Sequence, residues 1–343
     1  MRDRRRALRD AVLARYEQLG GTGSTLGRPT TGTTAISGGT FAHFERGSIY
    51  WSSATGARVV SGAVRDRWAA LGWEHGLGYP TTDTTPISGG TYSHFQRGSI
   101  YWSPATGAHQ VGGAIRDRWA ATGWERGYLG YPTSDERAVP GGRANSFQGG
   151  EVRWTSATGA VDLPTFRTSA RSVTAAELGA SWRSGCPVAP ADLREVAVTY
   201  VGYDGRAHEG RIVMHRNYVG VTQRVFARLY AERFPIQRME PVSRYGGDDE
   251  ASMRANNTSG FNCRPGRHDD GAAIDINPLV NPYVKGAVVQ PATAGPYVDR
   301  TQSVVGMVKP GDVVVRAFAA EGWAWGGDWR TLKDYQHFSD DGR

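Results

Sequence analysis

Cysteine, lysine and long apolar runs are all scarce in this chain of 343 residues. There are only two cysteines, Cys186 and Cys263, too few for a fold stapled mainly by disulfides. An even pair in the C-terminal half reads as one disulfide closing a long loop. Two buried thiols are an alternative, and so is Cys263 as a metal ligand five residues before His268, although a site completed by two histidines and a carboxylate does not need it. Lysine is confined to Lys285, Lys309 and Lys333, so arginine carries the formal net charge of +7. A basic surface suits an anionic partner such as nucleic acid or a bacterial wall polymer. Arg, Ala and Gly richness also follows from GC-rich coding alone. No basic run is interleaved with stacking aromatics, so no nucleic-acid partner is expected. No stretch approaches the ~20 apolar residues of a membrane span. The start, Met1-Arg-Asp-Arg-Arg-Arg, leads into an amphipathic helix pattern and lacks the uninterrupted apolar core of a secretion signal, so no export signal is visible in this chain.

The length calls for two or more domains, and repetition shows where they divide. Gly47-Ser-Ile-Tyr-Trp51 recurs as Gly98-Ser-Ile-Tyr-Trp102 and, degraded, as Gly150-Glu-Val-Arg-Trp154; Leu26-Gly-Arg-Pro29 recurs as Leu77-Gly-Tyr-Pro80 and Leu129-Gly-Tyr-Pro132. Three units of about 51 residues therefore fill residues 1–162. Each reads as a helix, a Gly/Pro turn and a hairpin of two strands. A single unit is too small to bury its own apolar face, so neighbours must stack. Trp51, Trp102 and Trp154 are expected as packing residues rather than as a platform for carbohydrate. His43 and His94 are equivalent positions, but the third unit has Ser146 there, which argues against a shared metal.

Residues 163–178 break the repeat and read as a linker, leaving 179–343 as a second domain. Arg194 to Val201 alternates as a strand, Asp204-Gly205 signals a hairpin, and Glu209 to His215 returns. A helix from Val219 is stopped by Pro235, and another opens at Pro310-Gly-Asp312. Hairpins and helices without regular alternation predict an α+β fold.

Two motifs near the C-terminal end carry the chemistry: His268-Asp-Asp-Gly-Ala-Ala-Ile-Asp275 and Asp334-Tyr-Gln-His337. They supply two imidazoles and two carboxylates, the inventory of a catalytic zinc site with an open position for water and a carboxylate to take its proton. Asp275 sits in a strand-like run, so Ile274 and Ile276 should enter the core while Ala273, Asp275 and Asn277 share the other face. Gly271 lets the chain turn so that His268 comes back beside Asp275. Residues three apart point to opposite faces of a strand, so an irregular loop or helical turn must bring Asp334 and His337 together. Trp323, Trp325 and Trp329 are placed to wall the cleft. His208 and His215 lie on opposite strand faces and read as structural.

The repeats resemble LGFP repeats, with Arg28, Tyr79 and Tyr131 where the name has Phe; the resemblance implies attachment to the cell wall. Asn262-Cys-Arg-Pro, His268 to Asp275 followed by Ile-Asn-Pro278, Gly322-Trp-Ala-Trp-Gly-Gly-Asp-Trp329 and Asp334-Tyr-Gln-His337-Phe resemble the LAS-type M15 metallopeptidases. That group contains D-alanyl-D-alanine carboxypeptidases and L-alanyl-D-glutamate endopeptidases, and the likeness runs from about residue 182 to 338. It implies that His268, Asp275 and His337 hold Zn2+ and that Asp334 is the general base. It also implies a substrate-polarising arginine, carried over to Arg264, with Arg254 as the second candidate. The chain departs from the pattern at Gly266, where the family has Ser, and in the short loop between Arg264 and His268. A monomeric wall peptidase cutting peptidoglycan stem peptides outside the cell is the expectation; the alternative is a catalytically silent wall-binding protein.

Overall fold

The computed structural model describes residues 11–264 and 267–342. The charged start of the chain, residues 1–10, and Gly266 lie outside the described residues. Two compact units divide the chain, Met1–Thr165 and Phe166–Arg343.

In the first unit each repeat folds as a four-stranded antiparallel meander. The second runs through Thr85–Ile87, Gly90–Phe95, Gly98–Ser103 and Gly107–Val111 into the helix Gly113–Ala121. The expected hairpin is its central pair. The outer strands escaped the sequence reading because one has three residues and the other is only partly buried, so neither carries a full period-two pattern. The helices Gly62–Ala70 and Gly113–Ala121 bury Trp68 and Trp119 completely, and each indole packs against the next repeat's Phe95 or Phe147. These helix tryptophans, more than the strand tryptophans singled out from the sequence, form the joints. Removing an indole of this kind costs ~3–5 kcal/mol. Trp51 and Trp102 are partly buried against their clusters, whereas Trp154 is exposed.

A second joint uses the tyrosines that replace Phe in the tetrapeptide. Tyr79 donates its hydroxyl to the Ser37 carbonyl at 2.7 Å, and Tyr131 does the same to Ser88 at 2.7 Å. Each thereby clasps the hairpin of the preceding repeat. Arg28, at the same position in the first repeat, is exposed. His43 and His94 bond Ser48 and Ser99 at 2.7 and 2.6 Å, each beside an arginine, Arg65 or Arg116. Burial and that arginine push His94 down to about 4, so it is a neutral structural group near pH 7.

The second unit begins inside the segment expected as a linker. Thr168–Ser172 is a strand paired with Arg194 to Val198, and Thr174 with Glu177 closes a capping box on the short helix Ala175–Leu178. All five strand residues are exposed, so no apolar alternation marked them. Leu193–Val201 and Ala207–His215 form the expected hairpin. The helix Val219–Ala231 packs Val225, Phe226 and Leu229 onto it, and the helix Val313–Ala319, capped by Asp312, adds Val314 and Phe318. Cys186 and Cys263 are joined by a disulfide across a separation of 77 residues. His208 bonds Asp204 and His215 accepts from the Asn217 amide, both structural roles.

Candidate metal centre and active site

The centre is assembled by strand register. Ala273–Asp275 pairs antiparallel with His337–Ser339, with Asp275 directly opposite His337. On its other side Asp275 exchanges backbone hydrogen bonds with Ser259 at 2.8 and 3.1 Å. The Ser259 segment continues onto the long hairpin, because Phe261 donates to the Val213 carbonyl and His215 to that of Gly271. The acid is thus clamped between two neighbouring strands. Gly271 adopts φ +66°, and a Cβ there would lie 2.6 Å from the His215 nitrogen. Only glycine makes this turn without strain, and it returns His268 to the strand face as the sequence suggested.

His268 Nδ1 donates to the Gly260 carbonyl at 2.6 Å. That bond fixes the ring and leaves Nε2 as the free donor atom. His268 Nε2 lies 3.1 Å from Asp275 Oδ2 and 3.3 Å from His337 Nδ1, which is itself 3.3 Å from Asp275 Oδ1. All three ligand atoms fall within 4.8 Å of one another, and all three residues are buried. Burial opposes the charge on Asp275, but the two imidazoles outweigh it and hold the carboxyl well below the usual range. Two imidazoles and one carboxylate, convergent and shielded, could hold a divalent metal, and the N/O donor set suits zinc.

Asp334 approaches from another sheet. It ends the strand Lys333–Asp334, which pairs with Tyr283–Lys285, whereas His337 begins the next strand. The bend at Tyr335 and Gln336 carries the chain between the two sheets, an irregular crossing of the expected kind. Trp325 pins it by donating to the Tyr335 carbonyl at 2.9 Å. Gly326 permits the approach, since a Cβ there would lie 2.9 Å from that of Asp334. Burial, and then the neighbouring charge of Asp275, push Asp334 up to about 7. Its Oδ1 is buried and has no hydrogen-bond partner among the described residues. A vacant acceptor beside convergent ligands fits a site that takes up water.

Arg264 reaches the same cluster. Its Nη2 lies 3.3 Å from Asp275 Oδ2 and its Nε 2.9 Å from Asp249 Oδ1. Burial works against its charge, yet Asp249 and Asp275 together raise its pKa further. Arg254 pairs with Glu250 at 4.0 Å and does not touch the cluster. The disulfide anchors the residue before Arg264, and Arg183 donates to the Cys263 carbonyl at 2.7 Å. Asp249 was not anticipated from the sequence. Asp248-Asp249 reads as an ordinary helix start, and Asp248 indeed caps the helix Asp249–Arg254.

Two expectations are corrected. Trp323 and Trp325 are 4% exposed and belong to the core, so of the three tryptophans only Trp329 stands at the site, 5.4 Å from the His337 ring. Asn277 does not share the face of Asp275. The strand ends at Asp275, Asn277 turns with φ 45°, and its amide binds the Pro235 and Gly306 carbonyls.

The family comparisons agree with this architecture. The LGFP repeat family matches residues 26–76, 77–127 and 129–183, and the D-alanyl-D-alanine carboxypeptidase family of M15 peptidases matches residues 264–340. The peptidase match thus covers the candidate ligands, Asp334 and Arg264, but not the hairpin domain upstream. The third repeat match runs past Thr165 into residues whose strand pairs within the second unit. No curated protein matches the chain. The chain is thus similar to three LGFP repeats in its N-terminal half and, over residues 264–340, to the M15 D-alanyl-D-alanine carboxypeptidase family.

Proposed function

We propose that the chain is a zinc-dependent peptidase that hydrolyses peptidoglycan stem peptides and is held at the cell wall by its repeats. The observation that carries this reading is the convergence of His268, Asp275 and His337 on one buried point, with Asp334 beside them. His268 Nε2, His337 Nδ1 and an Asp275 carboxylate oxygen are the proposed zinc ligands. A bound zinc would supply Lewis acidity toward water and the scissile carbonyl. Asp334 accepts the proton of the attacking water at its vacant Oδ1 and returns it to the departing amine. Arg264, held from behind by Asp249, offers guanidinium N–H groups to the substrate oxygen on which charge develops. Trp329 supplies an apolar wall next to His337.

The repeats support a location at the envelope, and the disulfide suits an oxidising compartment. Among the described residues no helix is long and apolar enough to cross a membrane. The experiment is digestion of purified peptidoglycan by the zinc-loaded chain, followed by mass analysis of the muropeptides. Loss of one D-Ala identifies a carboxypeptidase and cleavage within the stem an endopeptidase. Intact muropeptides after prolonged digestion would refute the peptidase reading and leave a silent wall-binding protein.

A further inference from the structure

The three repeats differ most tellingly at one cross-strand pair. Thr40 faces Trp51 and Thr91 faces Trp102, but Arg143 faces Trp154. Trp51 and Trp102 lie partly buried against apolar clusters, whereas Trp154 is 36% exposed and joins no apolar cluster among the described residues. A second change accompanies the first. Thr84 binds the Ser93 hydroxyl and accepts from the Ser61 amide, but the matching position of the third repeat is Glu136, ion-paired with Arg143. At this place the third repeat has a cavity of about 310 Å³ lined by Glu136, Arg143, Trp154 and the start of the helix Gly113–Ala121.

We propose that this cavity is a binding site for a neutral saccharide of the wall glycan. The proposal rests on reading the repeats as wall-binding. A sugar ring has an apolar C–H face and a rim of hydroxyls, each both donor and acceptor. The cavity presents the matching set: the partly exposed indole of Trp154, the guanidinium of Arg143 and the carboxylate of Glu136. Arginine and glutamate nearly cancel, so an anion gains from Arg143 about what it loses to Glu136. That balance argues for an uncharged ligand rather than a phosphate or uronate. The volume lies at the lower end of the range for small-molecule sites and suits one or two rings rather than a long chain.

The test is titration of the full-length chain with maltose, N,N′-diacetylchitobiose, glucuronate, inorganic phosphate and an Ala-Glu-Lys tripeptide, followed by calorimetry and by the indole N–H resonance of Trp154. At least one of the two neutral disaccharides should bind and shift that resonance. Trp154→Ala and Arg143→Ala should each weaken binding at least about fivefold, while Trp154→Phe retains part of it. The thermal unfolding curve of each variant verifies that it folds. Absence of binding by both neutral disaccharides, binding unchanged in Trp154→Ala, or preferential binding of an anion or the tripeptide would each overturn the site. Sedimentation with purified cell wall separates this proposal from the broader one. If Trp154→Ala sediments like the parent chain, only this site fails; if the parent chain does not sediment at all, the wall-binding reading fails.

Discussion

Asp275 and His337 stand directly opposite one another on neighbouring antiparallel strands. Two of the three proposed ligands are therefore set by the register of one short ladder, and the third, His268, is set by a single glycine turn and a carbonyl bond. A one-residue slip would send His337 to the other face of the sheet. The metal is expected to depend on each ligand separately. His268→Ala, Asp275→Ala and His337→Ala should each leave the purified chain with substoichiometric zinc and no detectable turnover. Full zinc content in any one of them, measured by elemental analysis, would remove that residue from the ligand set.

Asp334 should separate chemistry from metal binding. Asp334→Asn keeps the size and packing of the side chain but cannot take a proton, so zinc content should stay at the parent level while kcat falls by ~10²-fold or more. A variant with parent turnover would show that another group is the base.

The same carboxyl makes the metal-free protein sensitive to pH. Its pKa is pushed up to about 7 in the fold, first by burial and then by the Asp275 charge, against ~4 in an unfolded chain. The folded state therefore binds more protons, and this group's contribution to stability falls as pH rises from about 4 through about 7. Metal-free Asp334→Asn should lose less Tm than the parent chain over that window. Equal losses, read by calorimetry, would contradict the assigned environment.

Asp249 is expected to act through Arg264. Asp249→Ala removes the 2.9 Å partner of the guanidinium and should lower kcat/KM by about 10–100-fold, the usual effect of removing a group that orients a site residue, with zinc retained. Asp249→Glu should recover part of the loss. Unchanged kcat/KM in Asp249→Ala would leave the ion pair without a functional role.

The disulfide closes a long loop and ends next to Arg264. Replacing both cysteines with serine should destabilise the second unit by ~2–5 kcal/mol. Chemical denaturation measures this directly, and an unchanged midpoint would contradict it.

Much of this was legible in the sequence because it depends on spacing. The repeat period, the Gly-Ser-Ile-Tyr-Trp strands, the hairpin around Asp204-Gly205 and the helix stopped at Pro235 all carry strong local signals. The approach of His268 to Asp275 was readable from the turn glycine, whereas the addition of His337 to them followed from the resemblance to M15 peptidases. What escaped notice depends on contacts across the chain. Thr168–Ser172 is an exposed edge strand without apolar alternation, yet Thr174-Ala-Ala-Glu177 spelled a capping box that should have argued against a plain linker. Trp323 and Trp325 look like cleft aromatics until the packing of Phe318 and Phe338 claims them for the core. The hold of Asp249 on Arg264 spans fifteen residues and two elements, with no motif to announce it.

The most direct test is anomalous scattering at the zinc edge from crystals of the zinc-loaded chain. The account predicts one strong peak about 2.0–2.2 Å from His268 Nε2, His337 Nδ1 and an Asp275 carboxylate oxygen, with Asp334 near but not bonded to it. A peak elsewhere, or a fourth protein ligand filling the remaining position, would contradict it.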